Sequence, residues 1–368
     1  MTIPFTATIF HMGPHQSLSW TFPAALPIDA IGPVESEAMT SLKLSVAVGD
    51  YDRTRPLIDG EVRIDGVDGV YMTLPPEEIF FRAFRHAEFD ICELSLSSFT
   101  VKTARGDCPY VGVPVFLSRA FRHTAIVIRT DCGIASPTDL KGRRIGLPEY
   151  QLTACVWARA ILADDYGVRP SDIVWVRGGL EEAGRPEKIA FTPPPNLRIE
   201  EAPEGESLTA MLKAGTIDGI MAPRAPFSFV HFAANIGWLF PDPTRAAKDY
   251  YQRTGIFPIM HIVGVRKELI AQHPWLAGAV LKAFGEAKTA ALAKLTDTSA
   301  TKVTLPFVEE QLRAARMLMG WDFWTYGIEG NRKTLETFLR HHHTQGLSSR
   351  IVAIEEIFHP ATYETFKI

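Results

Sequence analysis

Cysteine is scarce in this chain. The 368 residues hold four, at positions 92, 108, 132 and 155, with no Cys-x-x-Cys pair. That excludes a disulfide framework and reads as reduced thiols. No apolar run reaches the roughly 18 residues that a membrane-crossing helix needs. No lysine or arginine precedes Lys43, so the start lacks the basic segment of a secretory signal. His11, Pro14, His15, Gln16, Pro23 and Pro27 interrupt what apolar character it has. An irregular N-terminal extension over residues 1–40 and a cytoplasmic location are expected. Excess charge is missing too: the net charge of −4 gives no support to a nucleic-acid partner or a membrane surface. No convincing G-x-G-x-x-G, phosphate-binding loop or G-x-S-x-G elbow is present, which disfavours a nucleotide cofactor and a serine hydrolase. What remains is a globular chain, 46% hydrophobic, long enough to bury a large core unaided.

What is present is alternation. Leu42–Val48, Val67–Met72, Asp90–Leu94, Tyr110–Val115, Ala125–Arg129, Arg144–Leu147, Ile173–Val176, Gly219–Met221 and Met260–Val265 read as strands. Pro75-Pro76-Glu77-Glu78 opens a helix through His86. Further helices are expected over Ser95–Arg105, Thr153–Tyr166 and Leu208–Ala214, stopped by Gly106, Gly167 and Gly215. Gly178–Asn196, with Pro193-Pro194-Pro195, reads as a loop. Pro274–Lys294, Pro306–Met319 and Asn331–Gln345 make a helical C-terminal run. Strands alternating with helices predict an α/β fold with mixed, mostly parallel sheets. The simplest arrangement is two lobes with a ligand cleft between them, residues 41–120 with 261–368 forming one and 121–260 the other.

Ser136-Pro-Thr-Asp-Leu-Lys-Gly-Arg-Arg-Ile-Gly-Leu-Pro148, followed by a helix and Tyr166-Gly-Val168, resembles the second lobe of type 2 periplasmic-binding-protein folds. Many binders and some enzymes share that segment, so it implies the fold and says little about activity. Other segments are narrower. Gly49-Asp-Tyr-Asp-Arg-Thr-Arg55, Glu77-Glu-Ile-Phe80, Phe89-Asp-Ile-Cys-Glu-Leu-Ser-Leu-Ser-Ser98, Pro114-Val-Phe-Leu-Ser-Arg-Ala-Phe-Arg-His123 and Gly255-Ile-Phe-Pro-Ile-Met-His261 with His273-Pro-Trp275 together are similar to the 4,5-dihydroxyphthalate decarboxylase family. The resemblance runs from Leu42 to the C-terminus. It implies nonoxidative removal of one carboxylate from a small aromatic acid, giving protocatechuate without a cofactor. The competing expectation is a binding or sensor protein that captures an organic acid on the same fold. A homo-oligomer is left open.

Losing CO2 from an aromatic ring leaves carbanion character at the ring carbon unless that carbon is protonated first. Such chemistry needs cations for the carboxylates, an acid for the carbon, and an acceptor that raises electron density on a phenol. Arg53, Arg119, Arg122 and Arg224 lie near strand ends, where open α/β sheets place their ligands, and a planar guanidinium matches a carboxylate; Arg55 is similarly placed. His123 and His261 are the candidate acids, since imidazole exchanges protons near neutrality; either also suits a core position. Asp50, Asp52 and Glu93 are candidate acceptors. Asp50 and Asp52 equally suit a turn, whereas a carboxylate in the apolar strand around Glu93 needs a partner. Ser97, Ser98 and Thr153 can hold a carboxylate at helix starts or simply cap them. Phe116, Phe121 and Phe257 suit either ring stacking or core packing. His341-His-His343 reads as a solvated helix end, because consecutive helical residues face different ways. No metal is expected.

Overall fold

The structure, a computed structural model, describes residues 41–231 and 234–363; the irregular extension expected for residues 1–40 lies outside the described residues. Alternating and apolar stretches pair into two sheets. The first has the order β2-β1-β3-β11-β4, with β1 at Leu42–Val48, β2 at Val67–Thr73, β3 at Ile91–Ser95, β4 at Tyr110–Arg119 and β11 at Ile259–Arg266. The second has the order β10-β5-β9-β6-β7-β8. Its strands are β5 (Ile126–Arg129), β6 (Arg144–Leu147), β7 (Val174–Arg177), β8 (Arg198–Glu201), β9 (Gly219–Met221) and β10 (Ile236–Trp238). Both sheets are mixed. β1 runs parallel to β2 and β3, but β11 is antiparallel to β3 and β4. β6, β7, β8 and β9 are parallel neighbours, and β5 is antiparallel to β9 and β10.

Two connections join the sheets side by side. The chain leaves β4 at Arg119 and returns into β11 at Ile259; these two residues pair, and Ala120 N–H donates to the Pro258 carbonyl at 3.2 Å. The helix Thr153–Tyr166, buried along its first ten residues, packs beside the crossing. Its wholly buried Trp157 donates from Nε1 to the Ile259 carbonyl at 2.9 Å. Trp and Tyr of this kind bury large area while their polar tip finds a partner.

Several elements depart from the expectations. Pro243–Thr254 is a helix that the apolar pattern did not reveal, because only Ala247 and Tyr250 are buried on it; Asp242 caps it, accepting from Arg245 N–H at 2.9 Å. β8 and β10 are short, with little apolar pattern to mark them. The helix expected from Pro274 to Lys294 is present as Leu276–Thr296, and an unexpected short helix, Lys267–Gln272, precedes it, the two separated at Pro274, which lacks a backbone donor. The histidine run is not a solvated end: His341 and His342 are buried, because Arg332–Thr344 packs against the helix Thr153–Tyr166. Among the described residues no helix is long and apolar enough to cross a membrane.

Candidate active site

β3 is buried at every position and still carries a carboxylate, Glu93. An unpaired carboxylate there would cost several kcal/mol, so its partners define the site. Oε2 accepts from Gly49 N–H at 2.9 Å, and Oε1 from the Tyr51 hydroxyl at 3.0 Å. Oε1 also lies 2.6 Å from His261 Nδ1. The register explains the last contact. Glu93 stands opposite Val263 and Ser95 opposite His261, so Glu93, Ser95 and His261 share one sheet face as direct and diagonal neighbours.

The first two donors come from the turn after β1. Thr54, fully buried, donates from Oγ1 to the Gly49 carbonyl at 2.7 Å and accepts from Tyr51 N–H at 2.9 Å. Residue 49 is glycine for a steric reason: a Cβ there would lie 2.3 Å from Tyr51 Cζ. Burial, then the charge of Glu93, pushes the Tyr51 pKa far up, so the phenol stays a donor.

His261 is oriented as well. The Glu93 carboxylate occupies Nδ1, which places the proton there in the neutral ring and leaves Nε2 on the opposite edge. Phe80 stands edge-on to the imidazole, centroids 4.8 Å apart at 75°. His261, Phe80, Ser95, Arg122 and Thr153 line a cavity of about 190 Å³. It continues into a cleft of about 610 Å³, the two sharing Glu77, Leu152, Pro223 and Arg224.

Two features make this cavity attractive to anions. Arg122 Nε donates to Met260 Sδ at 3.1 Å, and among the described residues the guanidinium has no carboxylate partner. Burial pushes its pKa down to about 10, so it remains charged at neutrality. The helix Thr153–Tyr166 begins at the cavity with Thr153 and Ala154, and its N-cap, Leu152, offers no side-chain acceptor. Its first N–H groups are therefore available to an anion. Thr153 Oγ1 is 3.0 Å from Ser95 Oγ and accepts from Ser97 N–H at 3.1 Å. The loop Gly178–Asn196 closes one wall. Its Arg185 and Lys188 reach the fully buried Glu149 at 2.9 and 2.8 Å, and Arg185 also reaches Glu77 at 3.0 Å.

The structure thus brings together Glu93, His261, Arg122 and Thr153, with Arg224 at the mouth, its side chain 71% exposed. The other candidates stand elsewhere. His123 is buried against Phe240 and Tyr250, and burial pushes its pKa down to about 4. It faces packed aromatics, not the cavity. Arg119 is spent on the Phe257 and Thr325 carbonyls and Asn331 Oδ1, which ties the crossing to the C-terminal segment. Arg53 donates to the Leu117 carbonyl at 2.6 Å and to Asp52 at 3.0 Å, between the Tyr51 and Trp324 rings. Asp50 pairs with Arg55 at the half-exposed surface. Ser97 Oγ faces buried His342 at 3.2 Å, and Ser98 is buried, its N–H 3.5 Å from Ser95 Oγ. Phe121 stacks on Phe257, and Phe116 packs against Tyr326 and Phe358. Sequence reasoning did not nominate Tyr51, Glu77, Phe80, Ser95 or Lys188. Tyr51 and Glu77 lie inside motifs it singled out; Lys188 carried no local signal. Among the described residues no group of three or more histidine, cysteine or carboxylate side chains is gathered for a metal ion.

No family model matches the sequence. The chain is 58% identical over 330 residues to a 4,5-dihydroxyphthalate decarboxylase of Comamonas testosteroni, covering 90% of this chain and all of that protein. It is 58% identical over 214 residues to one of Pseudomonas putida, covering 58% of this chain and 83% of that protein. Among solved structures, the periplasmic aliphatic sulphonate binding protein SsuA from Escherichia coli superposes with a TM-score of 0.52 at 12% identity, covering 88% of this chain and 99% of SsuA. That likeness is one of fold. The chain belongs to the 4,5-dihydroxyphthalate decarboxylase family, built on a periplasmic-binding-protein-like fold.

Proposed function

We propose that this protein removes one carboxylate from 4,5-dihydroxyphthalate without oxidation, giving protocatechuate and CO2. Family membership supports the overall reaction. One observation carries the assignment of the site: His261, held by buried Glu93, lines a cavity together with Arg122, an arginine that lacks a carboxylate partner among the described residues.

Arg122 pairs with the carboxylate that stays, a fork-to-fork contact suited to a planar anion. Thr153 and the free N–H groups at its helix start hold the carboxylate that leaves. Protonated His261 gives its Nε2 proton to the ring carbon bearing the departing group. The hydroxyl para to that carbon supplies electron density, so the positive charge spreads onto oxygen. The carbon–carboxylate bond then breaks, its electron pair restores aromaticity, and CO2 departs. Glu93 stabilises the imidazolium before the transfer, and Gly49 and Tyr51 keep Glu93 in place. His261 regains its proton from water. Because CO2 is neutral, the interactions with the leaving carboxylate vanish as the product forms.

The test is incubation of the purified protein with 4,5-dihydroxyphthalate in D2O. The expected products are CO2 and protocatechuate carrying one deuterium at the vacated ring position. Binding of the dihydroxyphthalate without CO2 release overturns the reading.

A further inference from the structure

Glu77 is a carboxylate lining a cavity that receives a dianion, and the steps above give it no part. It lies in the first turn of the helix Pro76–His86 and borders both the cavity and the wider cleft. Its Oε2 accepts from Arg185 Nη2 at 3.0 Å. Its Oε1 lies 3.9 Å from Arg224 Nη2, beyond hydrogen-bond length. One oxygen is anchored and the other is free of a hydrogen-bond partner among the described residues. Burial pushes its pKa up, but the charges of Arg185, Arg224 and Lys188 outweigh this and hold it below the ordinary carboxylate value. At neutrality the group accepts hydrogen bonds and has none to give.

Such a group repels both carboxylates of the substrate. The part of a dihydroxyphthalate that it attracts is the hydroxyl edge. Phe80, one turn beyond Glu77 on the same helix face, stands edge-on to the His261 ring, and Glu77 and His261 line the same cavity, so one hydroxylated ring can meet an acceptor at one edge and a proton donor at another.

We propose that Glu77 reads the catechol edge of the substrate, its Oε1 accepting a hydrogen bond from the hydroxyl para to the departing carboxylate, and so selects hydroxylated aromatic acids. This rests on the decarboxylase reading. The contact pushes electron density through the ring to the carbon that His261 protonates. The hydroxyl keeps its proton throughout and Glu77 leaves the step unchanged; the proton added to carbon comes from His261, and the bonding pair released with CO2 rejoins the ring.

The experiment compares wild type with Glu77→Gln. It reads kcat/KM for 4,5-dihydroxyphthalate and competitive inhibition by phthalate, which has both carboxylates and no hydroxyl. Glu77→Gln is expected to lower kcat/KM by about 10- to 100-fold, the loss of a charge-assisted hydrogen bond, with phthalate inhibition within about twofold of wild type. Unchanged kcat/KM in Glu77→Gln overturns the inference, as does an equal weakening of phthalate. Should Glu77→Gln fail to fold, wild type alone decides by inhibition with 4,5-dimethoxyphthalate, which offers no donor. Inhibition as tight as that by protocatechuate overturns the inference, and weaker inhibition supports it. Wild type that releases no CO2 fails the decarboxylase reading itself, a separate outcome.

Discussion

Glu93 and His261 meet diagonally across two antiparallel strands, 2.6 Å between Oε1 and Nδ1. The pair sits where a fully buried strand meets the cavity wall, so one partner is dry and the other lines the cavity. Glu93→Gln keeps the shape and removes the charge that steadies the imidazolium. Turnover should fall by about 10²–10⁴-fold, the usual share of a positioned acid, with KM changed far less. His261→Asn should lose turnover to a similar extent and still bind substrate. Steady-state kinetics with isothermal titration of phthalate checks both; undiminished kcat in either variant removes the pair from the chemistry.

Arg119 and Arg122 are three residues apart and should behave oppositely. Arg122→Gln leaves no buried carboxylate behind, so the fold should hold while substrate binding weakens by about 1.5–3 kcal/mol. Arg119→Gln deprives the Phe257 and Thr325 carbonyls and Asn331 of their donor and should lower stability by about 2–4 kcal/mol. Urea unfolding beside substrate affinity separates the two; a binding defect in Arg119→Gln without lost stability contradicts the assignment.

Gly49→Ala tests the turn that supplies Glu93 with donors. The new methyl would overlap the tip of the Tyr51 ring, a side chain that can swing away, so the chain should fold and the Tyr51–Glu93 bond should break. A fall in kcat of about tenfold is expected, the equivalent of one hydrogen bond. Tyr51→Phe removes the same hydroxyl without the clash and should reproduce the fall; full activity in both makes this bond dispensable.

Acid should destabilise the protein through buried imidazoles. His123, pushed down to about 4 by burial, titrates near 6.5 when unfolded. Between these values the unfolded chain binds a proton that the folded chain lacks, so stability is full above about pH 6.5 and falls toward pH 4, by about 3 kcal/mol from this residue. His342, pushed down to about 3 by burial, adds loss in the same direction. His123→Phe, which fits the Phe240 and Tyr250 surroundings, should flatten the slope of unfolding free energy between pH 4.5 and 6. It should also retain turnover per folded molecule at pH 7. An unaltered slope, or lost turnover in folded protein, rejects this placement.

The alternation of strands and helices was readable because period and stop residues act locally: Gly106, Gly167 and Gly215 each end a helix in the left-handed region. Glu93 was readable for a related reason, as a carboxylate inside an apolar strand demands a partner. The choice between His123 and His261 was not. Both are imidazoles beside strand ends, and what separates them is the helix Pro243–Thr254, whose Tyr250 covers His123 and whose polar sequence hid it. Arg53 and Arg119 were indistinguishable from Arg122 because the carbonyls and the Asn331 side chain that hold them away from the cavity lie 64 to 212 residues away in the chain. Lys188 was unreadable for the same reason: its carboxylate partner, Glu149, lies 39 residues away in the chain.

The laced connections between the sheets have a consequence for the site. Ala120 and Pro258 are hydrogen-bonded, with Arg122 two residues beyond the first and His261 three beyond the second. Both therefore stand within three residues of the point where the two connections are tied, and that tie fixes the segment of the guanidinium to the segment of the imidazole. The spacing between cation and acid is thus set by the backbone itself rather than by the ligand.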